Sequence, residues 1–241
     1  MMRTSNEGKV EIIGHEGIAL SKYKDSVGVW TIAGGATVSE IPDLASWPLA
    51  KTVTMQEAFD LFGRSIVKYE NAINKALTRP ILQTQFDALV SWCYNVGVGY
   101  THPVYDKKGN LVRDTATVLK LLNKGASSAD LYKALLMYRK PPEIIGRRTK
   151  EANLLAYGKY SNDGKAVLFP VSSKGYPIYS RGTTINVWQY IPHTATEEPV
   201  VPEVYPDEVG GLESKPSLAQ RTWTLLSDCL SKINVSPKDV Q

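Results

Sequence analysis

The hydrophobic pattern opens with a short helix and a hairpin and then turns helical. Val10 and Ile13 share one face of a helix over Val10 to Glu16, and Gly17 follows in the stop position. Leu20 to Asp25 and Val29 to Thr37 read as two strands joined at Ser26-Val27-Gly28. Gly34-Gly35 lets the second strand bend or approach a neighbour closely. Residues 40–52, with Pro42 and Pro48, read as a loop. Thr54 and Glu57 then form a capping box. Behind it Ala58, Phe62, Ile66, Tyr69, Ile73 and Leu77 recur at spacings of 4, 4, 3, 4 and 4, the stripe of an amphipathic helix. A more apolar helix runs from Thr84 to Val96 and stops at Gly97, with Phe86, Leu89, Val90, Cys93 and Val96 as core. Residues 99–114 are polar and turn-rich. Three more helices are expected over 115–123, 128–139 and 143–157, closed by Gly125, Pro141 and Gly158. Ala166 to Val171 and Thr183 to Tyr190 alternate weakly, which predicts irregular or weakly stranded structure wrapping the domain.

Charge and composition change the picture at the C-terminal end. Residues 193–216 carry Glu197, Glu198, Glu203, Asp207, Glu208 and Glu213 against Lys215, with prolines and no helical period. They read as a linker. Ser217 to Gln220 resembles a second capping box, and Leu218, Thr222, Leu225, Leu226, Cys229 and Ile233 form the stripe of a terminal helix. The expected organisation is a domain over 1–160, an extension over 161–192, an acidic linker over 193–216 and an amphipathic helix over 217–241. That helix is expected to dock on the domain, to self-associate or to contact a partner. The net charge is +4 with the acids concentrated in the linker, so the body before it is basic and suits an anionic polymer. Nucleic acid and bacterial cell wall both qualify.

Other classes find little support. No apolar stretch approaches the roughly 18 residues of a membrane span. The segment MMRTSNEGKV lacks the apolar core of a secretory signal, so residence in a reducing cytoplasm is expected. Cys93 and Cys229 suggest no disulfide framework. His15, His102 and His193 stand in unlike contexts and suggest no zinc site. Cys93 lies among Leu89, Val90 and Trp92, which favours packing over a reactive thiolate. Gly34-Gly35 is not followed by the Lys-Ser/Thr of a phosphate loop. No cofactor or metal is expected.

The candidate chemistry sits between residues 14 and 37. Glu16 stands at the C-terminal end of a helix, where the negative end of the macrodipole disfavours an ionised carboxylate and favours one that keeps its proton. Asp25, on a polar turn, is expected to stay ionised and solvated. Thr31 adds a hydroxyl inside a strand. Each is ordinary alone. A protonated carboxyl, an ionised carboxylate and a water-holding hydroxyl together are the requirements of acid-assisted glycoside cleavage.

The combination resembles the phage-type lysozymes, glycoside hydrolase family 24. The matching residues are Glu16-Gly17, Tyr23-Lys24-Asp25 and Gly28-Val29-Trp30-Thr31-Ile32. The apolar run from Ala88 to Asn95-Val96-Gly97 and the segment Gly146-Arg147-Arg148-Thr149-Lys150-Glu151 also resemble family blocks. The similarity covers about residues 7 to 160. It implies an α+β, lysozyme-like fold with a small β-hairpin lobe, a larger helical lobe and a cleft between them. It implies a muramidase that cuts the β-1,4 bond between N-acetylmuramic acid and N-acetylglucosamine of peptidoglycan. Glu16 is then the general acid, Asp25 the base or electrostatic partner, and Thr31 the residue that positions water. Asn95 and Arg147 are the substrate-side residues, with Arg147 also within reach of Glu16. The inverting chemistry of the family implies carboxyl groups roughly 6.5–9.5 Å apart. An endolysin of this kind accumulates in the host bacterial cytoplasm, needs a separate membrane-permeabilising protein, inserts into no membrane itself and binds no nucleic acid. The alternatives are a binding-only peptidoglycan module and a lytic transglycosylase, which needs no water-activating aspartate. One departure from the family pattern is Ala33-Gly34-Gly35-Ala36 after Thr31-Ile32. Ala36 offers no hydrogen bond to a substrate, which leaves subsite preference open.

Overall fold

In the computed structural model, residues 1–191 are described. The expected linker and terminal helix, with Cys229 and His193, lie outside them. Helix α1 (Asn6–Glu16) starts at Ser5, whose hydroxyl accepts the Gly8 N–H at 2.9 Å, and ends at Gly17 with φ 71°. A Cβ at Gly17 would stand 2.9 Å from the Val167 carbonyl, so both conformation and space call for glycine. The helix is a poor amphipath because it is covered on more than one side, with Val10, Glu11, Ile12 and Ile13 all buried.

Strands β1 (Ala19–Lys24), β2 (Trp30–Ala33) and β3 (Ala36–Thr37) make an antiparallel sheet in that order. Tyr23 faces Thr31 and Lys24 faces Trp30 across the first pair. The single strand expected over Val29 to Thr37 is two. Ala33 and Gly35 take φ of 56° and 119°, and the Gly35 N–H closes a turn on the Ile32 carbonyl at 3.2 Å. A Cβ on Gly35 would lie 2.5 Å from the Tyr94 hydroxyl, so this turn is where the sheet meets the helical lobe.

Helix α2 (Met55–Ala76) carries the capping box, with both Thr54 and Glu57 bonds formed. Its apolar face meets α3 (Gln83–Val96), where every residue from Phe86 to Cys93 is buried. The polar stretch 99–114 is not all loop: β4 (Val104–Tyr105) and β5 (Leu111–Arg113) form a small hairpin. Asp106 builds its turn, accepting the N–H groups of Lys108 and Asn110 at 2.8 and 2.9 Å. Helices α4 (Thr117–Asn123), α5 (Ser128–Leu135) and α6 (Ile145–Tyr157) complete the helical lobe. The fifth helix stops four residues short of its expected end, and a 3-10 turn, Pro142–Ile144, occupies the expected start of the sixth.

Beyond α6 the alternating runs form a regular hairpin of β6 (Lys165–Leu168) and β7 (Thr183–Asn186), paired from Lys165↔Asn186 to Leu168↔Thr183. Ala166, Val187 and Ile191 enter the main core. Buried Glu11 anchors the approach, accepting the Ser161 hydroxyl at 2.9 Å and the Asn162 N–H at 2.7 Å. The extension then pairs with the first hairpin. Ile18 donates to Val167 O at 2.8 Å, Phe169 donates to Ile18 O at 2.9 Å, and Lys24 donates to Gly175 O at 2.8 Å. Both ends of β1 are therefore held by residues from the far end of the described chain.

Candidate active site

The end of α1 presents Glu16 toward α6. Arg147 donates from Nη1 to Glu16 Oε1 at 2.6 Å, from Nε to Glu151 Oε1 at 2.9 Å and from Nη2 to the Ser91 carbonyl at 3.0 Å. Glu151 also accepts the Ser91 hydroxyl at 2.7 Å and a short bond from Arg148. Arg148 is fully buried and donates to Tyr138 O at 3.0 Å and to Asn95 Oδ1 at 2.5 Å. Two carboxylates and two guanidinium groups thus form one closed network. Burial opposes the charge on Arg147, but Glu16 and Glu151 outweigh it and raise its pKa. Glu16 remains partly open, its side chain 28% exposed against 2% for Glu151, so it is the carboxylate of the network that a ligand can reach.

Asp25 sits half-buried at the end of β1. Its Oδ1 accepts the N–H groups of Val27 and Val29 at 3.0 and 2.8 Å, which fixes the turn and orients the carboxylate. Thr31 is 4% exposed and donates to the Val29 carbonyl at 3.1 Å, so its oxygen lone pairs are the part left to accept a bond from water. Across from Thr31 lies Tyr23, whose hydroxyl stands in the field of both acids. Burial raises its pKa most, followed by Tyr179, Glu16 and Asp25. Tyr94 is raised well above its ordinary value, first by burial, and Glu16 adds to the effect. The structure therefore brings Glu16, Asp25 and Thr31 around the two ends of one hairpin. It places Asn95 and Arg147 in the network behind Glu16.

Sequence reasoning quoted Tyr23 only as part of the Tyr23-Lys24-Asp25 motif and gave Tyr94 and Ser91 no role in the site. Glu151 is legible in hindsight from its spacing, since it follows Arg147 by four residues and Arg148 by three on one helix. Tyr94 and Ser91 carry no local signal, because their role depends on tertiary neighbours. His15 is held neutral: burial, then Arg147, Lys150 and Arg148, lower its pKa to about 3. Among the described residues no group of three or more His, Cys, Asp or Glu side chains is placed to hold a metal ion, and no helix is long and apolar enough to cross a membrane.

A helical lobe, a three-stranded sheet and an arginine-held glutamate at a helix end agree with what comparison finds. A family profile described as phage lysozyme matches residues 13–151, more than half of the chain, and the chain belongs to that family. The SAR-endolysin of Enterobacteria phage P21 is 33% identical over 112 residues, 46% of this chain and 57% of that protein. The endolysin of Salmonella phage P22 is 33% identical over 97 residues, 40% of this chain and 65% of that one. The chain thus spans less than two thirds of the length of these relatives. Among solved structures, an endolysin from Escherichia coli O157:H7 phage FAHEc1 superposes with a TM-score of 0.55 at 26% identity, covering 67% of this chain and 98% of its own. A mutant of P22 lysozyme gives a TM-score of 0.50 at 26% identity, covering 64% and 99%. The fold is α+β and lysozyme-like.

Proposed function

We propose that the protein is an endolysin-type muramidase that hydrolyses the β-1,4 bond between N-acetylmuramic acid and N-acetylglucosamine of peptidoglycan and so lyses bacterial cells. The observation that carries the reading is the reachable Glu16 carboxylate at the end of α1, gripped by Arg147 at 2.6 Å. In this reading Glu16 protonates the glycosidic oxygen as the bond to the anomeric carbon breaks. Asp25 receives a proton from the attacking water or stabilises the positive charge on the sugar, and Thr31 orients that water. Arg147 fixes the carboxyl in place and stabilises the anion left after proton transfer. Asn95, with its carboxamide oxygen held by Arg148, offers its NH2 to an acetamido carbonyl. The family membership and the endolysin relatives support the substrate class, and the basic body suits an anionic wall.

The test is clearing of a peptidoglycan suspension by wild type and Glu16→Gln. A loss above about 100-fold with the melting temperature retained is expected, the scale of a general acid. Equal rates would remove Glu16 from that role. Mass spectrometry of the products tests the chemistry: addition of water is expected, and anhydro-sugar ends would mark a transglycosylase instead.

A further inference from the structure

The region beyond α6 supplies an aromatic side chain to the catalytic corner. Phe169 rests on Gly17, 3.2 Å from where its Cβ would be, and meets Tyr23 edge-on at 5.4 Å and 77°. Tyr179 packs on Phe169 at 4.9 Å and 53°. Phe169 thus joins the residue after Glu16, Tyr23 and Tyr179. The Tyr179 phenol reaches the Tyr23 hydroxyl electrostatically, as Glu16 and Asp25 do. Yet Tyr179 is 65% exposed.

Its backbone is fixed. Ile178 donates to Pro170 O at 2.9 Å, Arg181 to Ile178 O at 3.1 Å and Gly182 to Tyr179 O at 3.0 Å. The neighbouring turn is seated on the hairpin, where a Cβ at Gly175 would stand 3.0 Å from Trp30. An exposed ring on a hydrogen-bonded loop, packed on Phe169 next to Gly17 and Tyr23, buries little for stability and is preorganised for a ligand. A pyranose suits it. The negative face of the ring attracts the C–H face of a sugar, and the phenol can bond to the hydroxyls at the sugar's rim.

We propose that Tyr179 is a substrate contact, stacking on a sugar ring of the glycan strand next to the cleaved bond. The contact rests on the muramidase reading above and comes from outside the matched segment 13–151.

Steady-state cleavage of a soluble oligosaccharide of alternating N-acetylglucosamine and N-acetylmuramic acid tests it. Tyr179→Ala is expected to raise KM about tenfold, the scale of one aromatic contact, with kcat within about twofold. Tyr179→Phe keeps the ring face and is expected to stay near wild type. Tyr179→Leu still covers Phe169 and is expected to behave as the alanine variant, which separates loss of the ring face from loss of packing. Tyr157→Ala removes another exposed tyrosine, three turns along α6 from Arg147, and is expected to change neither constant. An unchanged KM in both Tyr179→Ala and Tyr179→Leu, or a fall in kcat alone, overturns the proposal. A wild type that neither binds nor cleaves the oligosaccharide overturns the muramidase reading, and the stacking contact with it.

Discussion

His15 and Glu16 are neighbours in sequence that face the same basic groups of α6 with different consequences. Glu16 meets one arginine directly. His15 has its Nε2 buried without a hydrogen-bond partner and lies near Arg147, Lys150 and Arg148, so the folded protein refuses it a second proton until about pH 3. The unfolded chain accepts that proton near pH 6.5. The folded value is the depressed one, so stability is complete above the unfolded value and declines as pH falls through the window from about 6.5 to about 3. Urea unfolding at pH 7.5 and 5.5 is expected to show wild type losing about 1.4 kcal/mol from this residue, a loss absent in His15→Gln. An equal pH dependence in the two proteins would contradict the assignment. At this scale the sequence was informative wherever chemistry is local. Glu16 before Gly17, Asp25 on its turn and Thr31 in its strand stand within one short motif. The depressed pKa of His15 depends on burial and on basic groups of α6 and was invisible from its neighbours. The three-residue spacing of Arg148 and Glu151 on one helix, by contrast, points to their pairing, and the buried Arg148 does bond Glu151.

Among the elements, the turn between β2 and β3 links the two lobes. Gly35 combines a positive φ with a position where a Cβ would stand 2.5 Å from the Tyr94 hydroxyl, and that hydroxyl donates to Gly34 O at 2.8 Å and bonds Ser65 at 2.8 Å. Gly35→Ala imposes strain of about 1–3 kcal/mol and pushes on a tyrosine that is tied down. Thermal melting of this variant is expected several degrees below wild type, and Gly28→Ala, with open space around it, is expected to fall less. The helices were legible because capping and periodicity are local. Thr54 and Glu57, and the stripe behind them, suffice to define α2. The break after Ala33 was legible only as a pair of glycines whose purpose lay elsewhere, on α3. The β4–β5 and β6–β7 hairpins were underestimated because their strands are short and their faces mostly exposed, so alternation of apolar and polar residues is weak.

The molecule as a whole carries a net charge of +4 although its acids cluster in residues 193–216. A basic body gathers on an anionic wall through forces that act over about 30 Å at 0.01 M salt and about 8 Å at 0.15 M. Raising salt across that range is expected to slow clearing of intact walls several-fold while changing far less the cleavage of a short soluble oligosaccharide of alternating N-acetylglucosamine and N-acetylmuramic acid. Equal slowing of both would place the effect in the active site instead.

The hydrogen bonds that close the corner after Glu16 join Ile18 to Val167 and Phe169, partners about 150 residues apart in the chain. A polypeptide emerging from the ribosome presents its acid residue about 150 residues before the backbone that seats it. The corner around Glu16 therefore closes only after residues 167–169 have been made, and a fragment that stops before them carries the motif without the assembled corner.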